Sequence, residues 1–103
     1  MSYQYQTPGY AKAPTALCEA AEKYIIEKKP ELLAICFEEP DHTGHTKGHD
    51  TPAYYQMLKE LDGYVERILQ AIKKAGIWDD TIIIMTADHG GIKTGHGGKT
   101  LRE

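Results

Sequence analysis

Two apolar runs separated by one long amphipathic stretch constrain this chain most. Residues 32–37 (Leu-Leu-Ala-Ile-Cys-Phe) and 81–85 (Thr-Ile-Ile-Ile-Met) carry no charge and are rich in bulky or branched side chains. Continuous runs of this length fit strands covered on both faces of a parallel sheet. Between them, Met57, Leu58, Leu61, Val65, Ile68, Leu69 and Ile72 recur at helical spacing and mark one buried stripe. Asp50 or Thr51 caps this helix, Pro52 takes its first position, and Gly76 ends it. An earlier helix spans residues 14–28, with Leu17, Ala20, Ala21, Tyr24 and Ile25 on one face. Lys28 and Lys29 suit its negative end, and Pro30 stops it. Residues 3–6 alternate and predict a short edge strand.

The order is therefore helix, strand, helix, strand. A strand, crossover helix and strand make a βαβ unit, which is parallel and right-handed. The fold class this predicts is α/β: part of a doubly wound, three-layer αβα parallel sheet, in one partial domain over residues 1–103. Two strands are too few for a covered parallel sheet. The chain is accordingly expected to be part of a larger domain, or to complete its sheet as a homo-oligomer.

The net charge of −3 provides no basic face, so bulk binding to a nucleic-acid polymer is not expected. No apolar run approaches the ~20 residues of a membrane span. The first residues, Met1-Ser2-Tyr3-Gln4-Tyr5, lack the pattern of a secretory signal. Cys18 and Cys36 show neither ligand spacing nor a disulfide framework, and both are expected to be buried thiols.

Each predicted strand leads into a run that combines carboxylate, imidazole and glycine. The first is Asp41-His42-Thr43-Gly44-His45; the second is Thr86-Ala87-Asp88-His89-Gly90-Gly91, with His96 just beyond. All five histidines lie between His42 and His96. Parallel strands place both runs on one sheet edge, where open α/β sheets bind ligands. Glycine lets a loop at Gly44 fold back so that Asp41 and His45 meet one cation, and Gly90, Gly91, Gly97 and Gly98 allow close backbone approach. Mixed Asp/His ligation suits zinc first and manganese second. One ion takes Asp41, His45 and His96, which leaves a fourth position open; a second takes Asp88 and His89. Two such ions ~3.5–4 Å apart clamp the attacking and leaving oxygens of a displacement at phosphorus. His42 and His49 read as solvated loop residues, His42 with a minor reading as a hydrogen-bond donor behind the ligands, and Lys47, Lys93 and Lys99 as solvated lysines with a minor reading as phosphate contacts. Glu38 and Glu39 have a minor reading as hydrogen-bond acceptors behind the ligands.

Residues 37–45, the long helix with Leu61-Asp62, and residues 86–90 together resemble the alkaline phosphatase superfamily. The nearest branch is the type I phosphodiesterase/nucleotide pyrophosphatase group, with sulfatases and phosphopentomutases as cousins. The resemblance runs from about Ala13 to the end, and the D-x-x-G-H and T-x-D-H-G runs in this order carry it. It implies a doubly wound α/β fold and two divalent ions, usually zinc. Asp41 and His45 would hold the first ion, Asp88 and His89 the second. His96 matches the histidine that closely follows Asp-His-Gly in the mutase and sulfatase-like branches. The implied substrate is a small-molecule phosphate or sulfate ester. Family members carry a metal-binding aspartate and a serine or threonine nucleophile far upstream, whereas 40 residues precede Asp41 here and Ser2 and Thr7 lack the matching context. No catalytic nucleophile is therefore assigned, and this polypeptide alone is expected not to turn over. A sulfatase or phosphomutase relative, a non-catalytic zinc-binding module, and an interaction domain with incidental histidines remain alternatives on sequence.

Overall fold

The computed structural model describes residues 13–98. The expected strand at residues 3–6 lies outside them. Three helices organise the described residues: α1 (Ala13–Lys28), α2 (Asp41–Lys47) and α3 (Pro52–Lys74), followed by a 3-10 turn at Trp78–Asp80. Both long helices begin and end within two residues of where the sequence places them. Thr51 caps α3 as anticipated: its hydroxyl accepts the Tyr54 N–H at 3.3 Å, next to Pro52 in the first turn.

Helices α1 and α3 pack along each other in the same direction. Thr15 meets Tyr64 hydroxyl to hydroxyl at 2.6 Å, Glu22 pairs with Arg67, and Ile25 packs with Ala71, Ile72 and Ala75. The partners rise together in sequence, so the connection between the helices must run back along their length. Sixteen residues of α1 rise about 24 Å at ~1.5 Å each. About seven extended residues cover that distance at ~3.3 Å each. The apolar run 32–37 lies in this return path, where Phe37 stacks on Tyr64 with ring centroids 6.3 Å apart.

The buried core is small: Cys18, Ala21, Ile25, Ala71, Ile72 and Ala75, with Ile26, Ile68 and Ile77 partly covered against it. Small residues at 71 and 75 let the two backbones approach while Ile25 and Ile72 fill the gap. At the rim of this contact Arg67 donates to Glu22 at 2.5 Å. Cys18 is fully buried as expected, and burial pushes its thiol pKa up from 9.0. Cys36, also expected inside, is exposed.

The predicted three-layer αβα parallel sheet is not formed. Among the described residues no strand is present; the one β-type pairing is an isolated antiparallel bridge between Ile92 and Gly95. Residues 32–37 and 81–85 make no ladder, and Leu32, Ile82, Ile84 and Met85 are 79–90% exposed. Branched apolar residues favour extended backbone, but a strand exists only where a neighbour takes its N–H and C=O groups. Here α1 and α3 cover each other, and among the described residues no strand pairs with either run. A further difference lies at Asp41, where a loop was expected and a helix forms.

Candidate metal centre

The site grows from α2. This helix has only seven residues, too few to persist on its own. Glu39, 5% exposed, holds its start: the carboxylate Oε2 accepts the Thr43 N–H at 3.2 Å and the Thr43 hydroxyl at 2.6 Å. A carboxylate there also offsets the positive end of the helix. Helical winding then places Asp41 and His45 on one face at a separation of four. A folded-back loop was the expected route to this juxtaposition; one helical turn achieves it.

The second arm is the segment 88–96. Ile92 and Gly95 exchange two backbone hydrogen bonds of 2.9 Å, which closes a tight reverse turn with Lys93 in the left-handed region at φ 52°. The turn's carbonyls face the α2 region. His45 Nδ1 donates to the Thr94 carbonyl at 2.8 Å, and His49 Nδ1 donates to the Lys93 carbonyl at 2.8 Å. The His49 backbone N–H reaches the same Lys93 oxygen at 2.6 Å.

These contacts gather three imidazoles on one carboxylate oxygen. Asp41 Oδ1 lies 3.2 Å from His45 Nε2 and 3.5 Å from both His89 Nε2 and His96 Nε2. His89 and His96 stack with centroids 3.6 Å apart, and His45 meets His96 edge-on at 4.9 Å. Ligand atoms of Asp41, His45 and His96 all fall within 4.8 Å of one another. Asp88 is the outlier among the predicted ligands: its side chain is 89% exposed, with Oδ1 3.6 Å from His89 Nε2.

The donor set fits a divalent cation. A carbonyl oxygen only accepts, so the Nδ1 atoms of His45 and His89, the latter 2.6 Å from the Gly90 carbonyl, must carry their ring protons. The Nε2 atoms lie on the side facing Asp41, the arrangement in which a second hydrogen bond fixes a ligating histidine once Nε2 is bare.

Two residues gained roles that the sequence reading did not give them. His49, read as a solvated loop residue, is half-buried between α2 and the second arm. Its spacing of four beyond His45 was the signal available. Glu39 acts on α2 rather than on a histidine. Tyr54 stands near the cluster, 5.1 Å from the His49 ring, and burial together with the Asp41 charge pushes its phenol pKa up. Tyr55 donates to Asp50, which raises its pKa as well. An open cleft of about 370 Å³ is lined by His49, Asp50, Tyr55, Gly91, Ile92 and Lys93.

Asp41, His45 and His96 thus form a possible metal-binding triad. Residues 3–100 match the family model of type I phosphodiesterase / nucleotide pyrophosphatase, and the chain belongs to that family. It is 43% identical over 60 residues to the bis(5'-adenosyl)-triphosphatase enpp4 of Xenopus laevis, covering 57% of this chain and 13% of that protein. With ectonucleotide pyrophosphatase/phosphodiesterase family member 5 of Homo sapiens it shares 32% identity over 69 residues, 66% of this chain and 14% of the relative. With family member 7 of Rattus norvegicus it shares 30% over 89 residues, 86% of this chain and 19% of the relative. The chain thus spans less than a fifth of the length of these relatives. No solved structure matches it significantly.

Proposed function

We propose that this chain is the cation-binding portion of a larger catalytic unit that hydrolyses small-molecule phosphate esters. The observation that carries the reading is the gathering of three Nε2 atoms 3.2–3.5 Å from Asp41 Oδ1. Family membership supplies the chemistry to which such a cluster is put. Asp41, His45 and His96 are the ligands of one ion, and Asp88 with His89 contributes to a second; zinc suits this donor set best. When bound, the ions offset charge that develops on the phosphoryl oxygens.

The chain's own residues do the preparatory work. Glu39 fixes α2, and α2 presents Asp41 and His45 together. The Thr94 and Gly90 carbonyls hold the Nδ1 protons of His45 and His89. The attacking group is assigned to residues outside the chain. The Thr43 hydroxyl donates to Glu39 and the Thr46 hydroxyl to the His42 carbonyl at 2.9 Å, so neither is poised to attack. Phosphodiesters are the substrate class this reading favours, given that the two ectonucleotide relatives are named as pyrophosphatase/phosphodiesterase proteins.

Zinc titration of the chain at neutral pH tests the site. Uptake that Asp41→Ala removes is the expected result, and no uptake by the unaltered chain refutes the assignment. The intact protein should cleave bis-p-nitrophenyl phosphate faster than p-nitrophenyl sulfate; the reverse order would place it among sulfatase-like enzymes.

A further inference from the structure

The glycines of the two Asp/His motifs face a side chain that neither motif contains. A Cβ built on Gly44 of α2 would overlap the His49 ring, and so would a Cβ built on Gly91 of the second arm; the three closest atoms to each are His49 Nε2, Cε1 and Cδ2. The imidazole is therefore pressed between two backbones that belong to different arms of the metal centre. Its edge is fixed as well. Nδ1 and the His49 N–H both reach the Lys93 carbonyl, at 2.8 and 2.6 Å. His45 lies at one side with centroids 6.2 Å apart, and Tyr54 at another at 5.1 Å.

We infer that His49 is a positioning residue for the metal centre: a flat wedge that sets the spacing between α2 and the 88–96 arm, and hence the distance of His89 and His96 from Asp41. The inference rests on the metal-binding reading of Asp41, His45 and His96. His49 itself stands outside that set of mutually close ligand atoms. A planar ring suits the task because two glycine backbones can close on its faces while its edge donates to a carbonyl. An aliphatic side chain of similar size lacks the donor, and a smaller one leaves the arms free to slide. The need for glycine at 44 and 91 follows directly, since any side chain there competes with the ring for the same space.

Four variants of the full 103-residue chain test this, with zinc affinity measured by chelator competition and coordination geometry by the visible absorption of bound cobalt(II). His49→Ala should weaken zinc binding by about 10–100-fold, the range typical when a group supporting metal ligands is lost. It should also shift the cobalt bands while the helical circular dichroism of α1 and α3 is retained. His49→Gln, whose amide can still donate to the Lys93 carbonyl, should recover part of the affinity. Gly91→Ala should weaken binding with His49 in place, and His49→Ala with Gly91→Ala should bind no worse than His49→Ala alone, because the methyl then enters space the ring has left. Unchanged affinity and spectrum in His49→Ala, or an unaffected Gly91→Ala, overturns the inference while zinc binding by the unaltered chain keeps the site reading intact. If the unaltered chain takes up neither metal, the site reading fails; nuclear Overhauser contacts from the His49 ring to the α-protons of both Gly44 and Gly91 then decide the wedge, and their absence overturns it.

Discussion

Removing the Glu39 carboxylate should dismantle the metal centre without touching a ligand. Glu39 is 5% exposed and accepts two hydrogen bonds from Thr43, itself 8% exposed. Hydrogen bonds to a charged group are worth about 1.5–3 kcal/mol each, and a favourable charge at a helix start adds about 0.3–1 kcal/mol. The two bonds share one oxygen and are not additive, so about 3 kcal/mol is a fair figure for Glu39→Ala. A seven-residue helix has little reserve of its own. If α2 is favoured by about 1 kcal/mol, a loss of about 3 kcal/mol leaves it formed in a few per cent of molecules, and apparent metal affinity falls by that fraction, roughly 20–30-fold. Glu39→Gln keeps one carbonyl acceptor but loses the charge, and should fall between the variant and the parent. Zinc affinity measured by chelator competition, alongside circular dichroism to show that α1 and α3 persist, reads the effect. An affinity in Glu39→Ala within twofold of the parent would refute the claim that this carboxylate organises Asp41 and His45.

Other outcomes follow from the same structure. Thr51→Ala removes the cap of α3 and should cost about 1 kcal/mol, seen as a lower melting temperature with unchanged helix content below it. Ile25→Ala opens the small core between α1 and α3 and should cost about 2–5 kcal/mol; a melting temperature equal to the parent's would contradict the packing described. Because burial raises the Cys18 thiol above its ordinary 9.0 in the folded chain, its contribution to stability is complete below pH 9 and is lost as pH rises through the folded value. Melting temperature should therefore decline above pH 9, and Cys18→Ala should flatten that part of the curve. Asp41→Ala should abolish cobalt binding, whereas Asp88→Ala, at an exposed carboxylate, should leave the first ion's site in place; identical losses in both would show that the cluster is not centred on Asp41.

The helices were legible in the sequence because their signals are local. Thr51-Pro52, the stripe ending at Ile72, and the Lys28-Lys29-Pro30 stop all act within a turn or two, and the structure keeps them. The sheet was misread because a strand depends on partners distant in sequence. Ile82, Ile83 and Ile84 report a preference for extended backbone but not what lies beside it, and all three are exposed here. Asp41, His45 and His96 were named from residue type and spacing, and they do converge, although through a helix rather than a loop. His49 was missed because a wedge leaves little chemical pattern of its own: beyond its spacing from His45, its traces were Gly44, read as letting a loop fold back, and Gly91, read as allowing close backbone approach. The structure fills the space between them with a ring of the chain itself.

The turn at residues 92–95 bears on which substitutions the site can absorb. Its contributions to His45 and His49 come from the Thr94 and Lys93 carbonyls, which every amino acid possesses. The identities of side chains 93 and 94 are thus largely decoupled from the histidine tautomers they help to set. Position 94 should accept broad replacement. Position 93, at φ 52°, should prefer glycine or asparagine and resist branched residues on backbone grounds alone. Sequence drift in this turn can therefore remodel the rim of the adjoining cleft, where Lys93 sits, without disturbing how the imidazoles are aimed.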